Sequence, residues 1–239
     1  MSHSFYINKD NLNYYLTELG IEYRKISKTP VQIVIVGGAA IFVKYSFRMM
    51  SLDIDGLLLP HKSDSLKHAI VNVADKIKIP YGWINDDFVN TSSYSNRIIL
   101  YSDYYKTFSN LIEVRIVDTI HLLAMKLMSF RPYKRDLSDL LGILIEEKNK
   151  GNVIRKEDIV LAFHDLYLDV SIPKVGEQFI DYIFDNYNDI DNLYSKIINR
   201  ETLNNKTIKV VLSKDDSAKA TKQELISLAI EKMKENLNK

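Results

Sequence analysis

Asp53 and Asp55 stand two residues apart in SLDIDGLLL (51–59), a segment otherwise rich in leucine and isoleucine. Side chains two apart on a strand point to the same face, so the spacing predicts neighbouring carboxylates on one surface of a buried strand. Like charges that close, partly desolvated, raise each other's pKa unless a cation lies between them. Hard oxygen donors with retained waters suit Mg2+. The plain alternative is a pair of capped or exposed acids on an edge strand, since charges are rarely buried unless paired. Upstream, Gly37-Gly38 interrupts the apolar run VQIVIV (31–36) just before AAIFVKYSF. Such a turn between strand and helix lets backbone N–H groups approach an anion, helped by the positive end of the helix. A lone Gly-Gly is usually only a tight turn. Followed by the acid pair, it suggests phosphates on one side of a cleft and a metal on the other, the layout for phosphoryl or nucleotidyl transfer.

Other charged residues have two readings. Glu113, flanked by Ile112 and Val114 in LIEVRIV, should point away from their face, which makes it the candidate third metal carboxylate; it could instead pair with Arg115. Arg131, Lys134 and Arg135 form a basic run, either a solvated face or the place where nucleic-acid phosphate arrives. His121 reads as a core histidine, and the five histidines show no metal-ligand cluster. Asp86 and Asp87 are adjacent and would point apart on a strand, so a loop is expected there.

These residues need elements to hold them. The spacing predicts a first helix over NKDNLNYYLTELG, stopped at Gly20, and strands at 31–36 and 51–59. A capped amphipathic helix comes next, over SDSLKHAIVNVADKI, with Leu66, Ile70, Val73 and Ile77 on one face. RIILYSD and LIEVRIVD read as strands. From Thr119 onward the pattern is helical, with 199–219 as the loosest stretch, a loop or a short strand. The expected class is α/β (α+β): a mixed sheet flanked by helices, residues 1–118, then a helical bundle, residues 119–239. With 32 basic against 31 acidic residues, net +1, the chain does not advertise nucleic-acid binding. There is no cysteine, hence no disulfide or thiolate zinc site. The N-terminus lacks a signal-peptide layout, and the longest uncharged apolar stretch is about half of the ~20 residues a membrane helix needs. A soluble, cytoplasmic protein without a membrane partner is expected.

VGG followed by SLDID resembles the nucleotidyltransferase superfamily signature. The stretch DTIHLLAMKLMSFRPYKRDLSDLLGIL (118–144) narrows the likeness to nucleotidyltransferase-like toxins of the AbiEii and MenT type, and FRMMSLDID resembles their Arg-x-x-Ser-x-D-x-D form. The resemblance covers roughly residues 31–145 and implies a minimal nucleotidyltransferase fold. It assigns Gly37 and Gly38 to the phosphate turn, with Arg48 and Ser51 beside the nucleotide. Asp53 and Asp55 become the metal pair. Lys126 resembles the lysine that contacts nucleotide phosphate, and Asp136 the acid of the last motif. Asp139, on the same helical face, supports or replaces Asp136. By itself Lys126 could equally be a snorkelling lysine on an apolar helix. Ala39 stands where a serine is common in the family, so phosphate contact would rest on backbone N–H groups. The implied activity is Mg2+-dependent transfer of NMP from an NTP to an acceptor hydroxyl, with RNA such as tRNA as acceptor. The implied setting is a bacterial toxin–antitoxin or phage-defence system, with a cognate antitoxin as partner. The same site could act on a protein or small-molecule acceptor, or serve as a non-catalytic binding module.

Overall fold

The computed structural model describes residues 5–61, 63–129 and 135–214, with residues 203–214 described by backbone alone. The first helix, α1 (Lys9–Ile26), starts where the Asn8 side chain accepts the N–H groups of Asp10 and Asn11, while Asn11 accepts the Asn8 N–H in return. Reciprocal capping of this kind satisfies donors that the helix itself leaves open. Next come β1 (Val31–Ile35), α2 (Gly37–Lys44), β2 (Ile54–Leu59), α3 (Asp64–Ile77) and β3 (Ile84–Asn85). Two 3-10 turns (Asp87–Asn90, Asn96–Tyr101) lead into β4 (Ser102–Phe108) and β5 (Ile112–Val117). Five helices complete the described chain: α4 (Thr119–Ser129), α5 (Asp136–Asn149), α6 (Lys156–Tyr167), α7 (Lys174–Asp185) and α8 (Ile190–Lys214).

The five strands make one mixed sheet in the order β3-β2-β1-β5-β4. β1 runs antiparallel to β2 and parallel to β5, while β4 and β5 form an antiparallel edge pair. This is the expected mixed α/β sheet with flanking helices, succeeded by further helices. β1 is buried at four of its five positions because neighbours cover both faces, which suits its β-branched sequence. The apolar stripe of α3 packs as its period requires: Leu66 and Val73 are fully enclosed, and α3 lies against α1. Each such side chain contributes about 1.5–3 kcal/mol of burial.

Four local expectations are corrected. α1 runs through Gly20, where an added Cβ would lie 2.7 Å from the Ser109 hydroxyl, so this glycine serves close packing and does not stop the helix. Residues 96–101 form a 3-10 turn, and the strand begins only at Ser102. Leu52 is 70% exposed, and β2 begins at Ile54. The part of 199–219 that is described, up to residue 214, is helix, continuing from a first half anchored by buried Ile190, Leu193 and Ile197.

The connection between α2 and β2 (residues 45–53) is fastened at both ends. One carboxylate oxygen of Glu146 on α5 accepts the N–H groups of Ser46 and Phe47, both at 2.8 Å, and the Ser46 hydroxyl at 2.6 Å. The Phe47 ring lies against Gly142 of α5, which has no Cβ to obstruct it. At the other end Ser51 and Ile7 exchange both backbone hydrogen bonds at 2.8 Å. Pinned twice, the loop holds Arg48 in place. An alanine inside a helix is normally better than glycine by roughly 0.5–1 kcal/mol. Gly142→Ala should nonetheless destabilise the protein by about 1 kcal/mol, because its Cβ would fall 2.7 Å from Phe47 ring carbons. Urea denaturation checks the sign; a more stable variant would mean that the ring is not fixed.

Candidate active site

The chain turns sharply where β1 ends. The Val36 N–H donates to the Asp55 carbonyl at 2.9 Å, tying the turn to the start of β2. Gly37 has φ +61°, a conformation that side chains disfavour, and an added Cβ would sit 3.1 Å from the Asp55 Oδ2. Glycine is therefore needed for conformation and for clearance. α2 starts here without a side-chain cap, so its positive end is turned to a cleft of about 510 Å3 that Val36, Gly37 and Gly38 line. At Gly38 a Cβ would lie 2.5 Å from a terminal nitrogen of Arg48. The second glycine lets a guanidinium rest on the backbone.

Asp53 and Asp55 open into this same cleft, both half-buried. Asp53 lies just before β2 in a bend, with the Ser51 hydroxyl 3.5 Å from its Oδ1, so only Asp55 belongs to the strand itself. Asp55 pairs in register with Asn85 of β3, which also lines the cleft. Among the described residues no set of three His, Cys, Asp or Glu side chains converges as a metal site. Two hard carboxylates in a wet cleft still fit Mg2+, which keeps several waters and takes substrate phosphate oxygens as further ligands.

A largely buried group of charges lines the same cleft. Lys126 of α4 donates to Asp136 Oδ1 and Asp139 Oδ2, each at 2.7 Å. Arg48 donates from one terminal nitrogen to both oxygens of Asp139, at 2.7 and 2.5 Å. The Ser129 hydroxyl lies 3.3 Å from the other Asp136 oxygen. Exposure is 7% for Lys126 and 2% for each aspartate. Burial works against the ammonium, but Asp139 and then Asp136 outweigh it and hold the Lys126 pKa above its ordinary value. Lys126 is thus neither a snorkelling lysine nor a lone charge waiting for phosphate; it is a fixed cation with two carboxylates behind it. Asp136 and Asp139 both engage it. The Arg48 Nε is buried without a hydrogen-bond partner.

The structure brings Gly37, Gly38, Arg48, Ser51, Asp53, Asp55, Lys126, Arg135, Asp136 and Asp139 to one cleft. Glu113 stands apart, which corrects the reading of it as a third metal carboxylate. It accepts from the Gln32 amide at 2.7 Å and from Arg115 at 3.3 Å, and it lines a different depression. Glu113 is level with Gln32 and Leu59, whereas Asp55 is level with Val36. Four residues of strand, about 13 Å, separate the two levels. Arg131 and Lys134 lie outside the described residues; Arg135 is exposed at the cleft. Asp87 also lines the cleft. Its sequence signal is faint, since it comes after a strand of only two residues. His121 is buried as expected, its ring 2.8 Å from the Asp118 carboxylate and stacked on Tyr101.

A family model described as nucleotidyltransferase of unknown function (DUF6036) matches residues 16–156, more than half of the chain, and the chain belongs to that family. No curated protein and no solved structure matches significantly. The matched segment contains all ten of the cleft residues that the sequence singles out.

Replacing Lys126 with methionine removes the cation that two buried carboxylates share. Such a loss typically costs about 3–5 kcal/mol, and Lys126→Met should show it in urea denaturation at neutral pH. The sign comes from the raised pKa: the stabilisation is complete below the ordinary lysine value and disappears as pH rises through the higher folded one. A variant as stable as the parent would show that the cluster is not held as described.

Proposed function

We propose that this member of a nucleotidyltransferase family transfers NMP from an NTP to an acceptor hydroxyl, with Mg2+ held by Asp53 and Asp55. The observation that carries the reading is the contact of the phosphate turn with the acid pair, Gly37 lying so close to Asp55 that a Cβ would sit 3.1 Å from its carboxylate. A triphosphate laid on the start of α2 would lie beside Asp53 and Asp55 and beside the Arg48 guanidinium that rests on Gly38, in the cleft that Lys126 also lines.

In this reading the N–H groups at Gly37 and Gly38 hold phosphate oxygens, helped by the helix end. The Arg48 guanidinium, which rests on Gly38 and lines the cleft, is a further cation at that turn. Mg2+ bound at the acid pair supplies charge that offsets the developing negative charge on phosphate and favours ionisation of the acceptor hydroxyl. The acceptor hydroxyl gives its proton to solvent water and its oxygen bonds to the α-phosphorus as the bond to pyrophosphate breaks. Lys126 keeps its proton throughout, since its aspartate partners hold it cationic, so it acts as fixed charge and not as an acid or base.

The acceptor we favour is RNA, such as a tRNA end, and the setting a toxin–antitoxin or phage-defence system with a cognate antitoxin in the cytoplasm. Support comes from the likeness of Arg48-x-x-Ser51-x-Asp53-x-Asp55 and of Lys126 with Arg135-Asp136-x-x-Asp139 to AbiEii and MenT toxins, and from exposed Arg135 at the cleft. No helix among the described residues is long and apolar enough to cross a membrane. The missing third carboxylate among those residues favours one other reading, a nucleotide-binding module without turnover.

Incubating the protein with labelled NTPs, Mg2+ and total tRNA should give labelled RNA, and chelating the metal should stop it. Asp53→Asn should abolish transfer with an unchanged or higher thermal midpoint, because like-charge repulsion is relieved. A variant that still transfers NMP would remove Asp53 from the mechanism. Bound but unturned nucleotide would favour the binding module.

If Arg131, Lys134 and Arg135 each meet an RNA phosphate, log affinity should fall against log salt with a slope of about −2. Replacing all three with alanine should flatten the line. A slope unchanged by the triple replacement would move the acceptor away from RNA.

A further inference from the structure

The helix that carries Asp136 and Asp139 begins without a cap of its own. Arg135 holds the N-cap position of α5, and its side chain bonds to none of the first-turn N–H groups. Its carbonyl accepts the Asp139 N–H at 2.8 Å, which starts the helical ladder and leaves earlier donors to be met from elsewhere. The first turn is buried: Ser138 is 6% exposed and Asp139 2%. A buried backbone donor there needs a partner.

The partner comes from α8. Glu201, itself 5% exposed, accepts the Ser138 N–H at 3.2 Å on one oxygen and the Ser138 hydroxyl at 2.6 Å on the other. This is the bonding of an N-cap, supplied from 63 positions along the chain. A carboxylate also suits the positive end of a helix. Burial raises the pKa of Glu201, the Ser138 bonds pull it back, and the charge of Asp139 pushes it up again. A small cavity of about 140 Å3 beneath α8 is lined by Glu201, Arg48, Arg135 and Asp139 together. Glu201 therefore stands behind the Arg48–Asp139 pair, on the side away from the cleft.

We propose that Glu201 is a positioning residue for the nucleotide site: by capping α5 from α8 it fixes the turn whose Asp139 holds Arg48 and Lys126. Glu201 does not line the cleft, and among the described residues its hydrogen bonds go to Ser138. It also lies beyond the family-matched segment, which ends at residue 156. The effect on turnover rests on the proposed nucleotidyl transfer; the effect on α5 does not.

Two variants separate the role from simple loss of fold. Glu201→Gln keeps two polar atoms at the site, one of them an acceptor for the Ser138 N–H, whereas Glu201→Ala removes both. Amide exchange at Ser138, without nucleotide, should speed about tenfold or more in Glu201→Ala and stay within about threefold in Glu201→Gln, a charged-acceptor bond contributing enough for a change of that size. Arg48 and Lys126 bind phosphate in the ground state as well as during transfer, so the NTP KM should rise about tenfold in Glu201→Ala with kcat changed less. Glu201→Gln should recover most of that KM. Unchanged Ser138 exchange in Glu201→Ala overturns the proposal whatever the nucleotide assays give. So does a loss in which kcat and folded fraction fall together and glutamine rescues nothing. Altered exchange with no NTP binding in the parent protein would leave the cap standing and sink the nucleotide reading instead.

Discussion

Two cations and two carboxylates taken out of water at one point constrain everything around the cleft. Lys126, Arg48, Asp136 and Asp139 come from α4, the loop after α2, and α5. Burying any one of them alone would cost several kcal/mol, and together they are tolerable only because each charge meets an opposite one at hydrogen-bond distance. The group thus fixes separations between elements that apolar packing would leave adjustable. Leucines slide past one another at little cost; an ammonium between two carboxylates has few good positions. The apolar core makes the chain compact, and this network sets how α4 and α5 stand against the β1–α2 turn.

The same network alters what the cleft offers an anion. Among the described residues the network sets two positive charges against two negative, so by itself it is not a basic trap. In the proposed reading, attraction for phosphate would come from the direction of its donors: the first N–H groups of α2 and the Lys126 ammonium held in one orientation. A site built this way selects by geometry more than by charge, because misplaced anions meet the aspartates. The carboxylates Asp53 and Asp55 line the same cleft, and in the proposed reading a divalent cation held there would convert repulsion of phosphate into attraction.

Much of this is legible in the sequence, and the failures have physical causes. The β1 run, Gly37 and the Asp53/Asp55 pair are visible because local spacing and backbone conformation carry their meaning. Glu113 misleads because alternation along a strand tells which face a side chain takes and nothing about its height relative to another strand; only the β1–β5 register places it level with Leu59. Gly20 looks like a helix stop, yet its role depends on Ser109 packing against it, a contact between distant parts of the chain. α8 beyond residue 199 has weak intrinsic helical character and is helical because its first half is anchored in the core. Lys126 is conspicuous as a charge on an apolar helix, but its partners lie on the next helix, where periodicity is silent.

The exchange of hydrogen bonds between Ile7 and Ser51 makes the first described residues a mechanical part of the loop that carries Arg48 and Asp53. Ser51 is two residues from Asp53 and three from Arg48, so tension or bulk applied just ahead of Ile7 reaches the acid pair through two short bonds. α1 cannot absorb the load, since its Asn8 cap holds it directly behind Ile7. A purification tag or fused domain ahead of Ile7 would act on the cleft as a lever through those bonds.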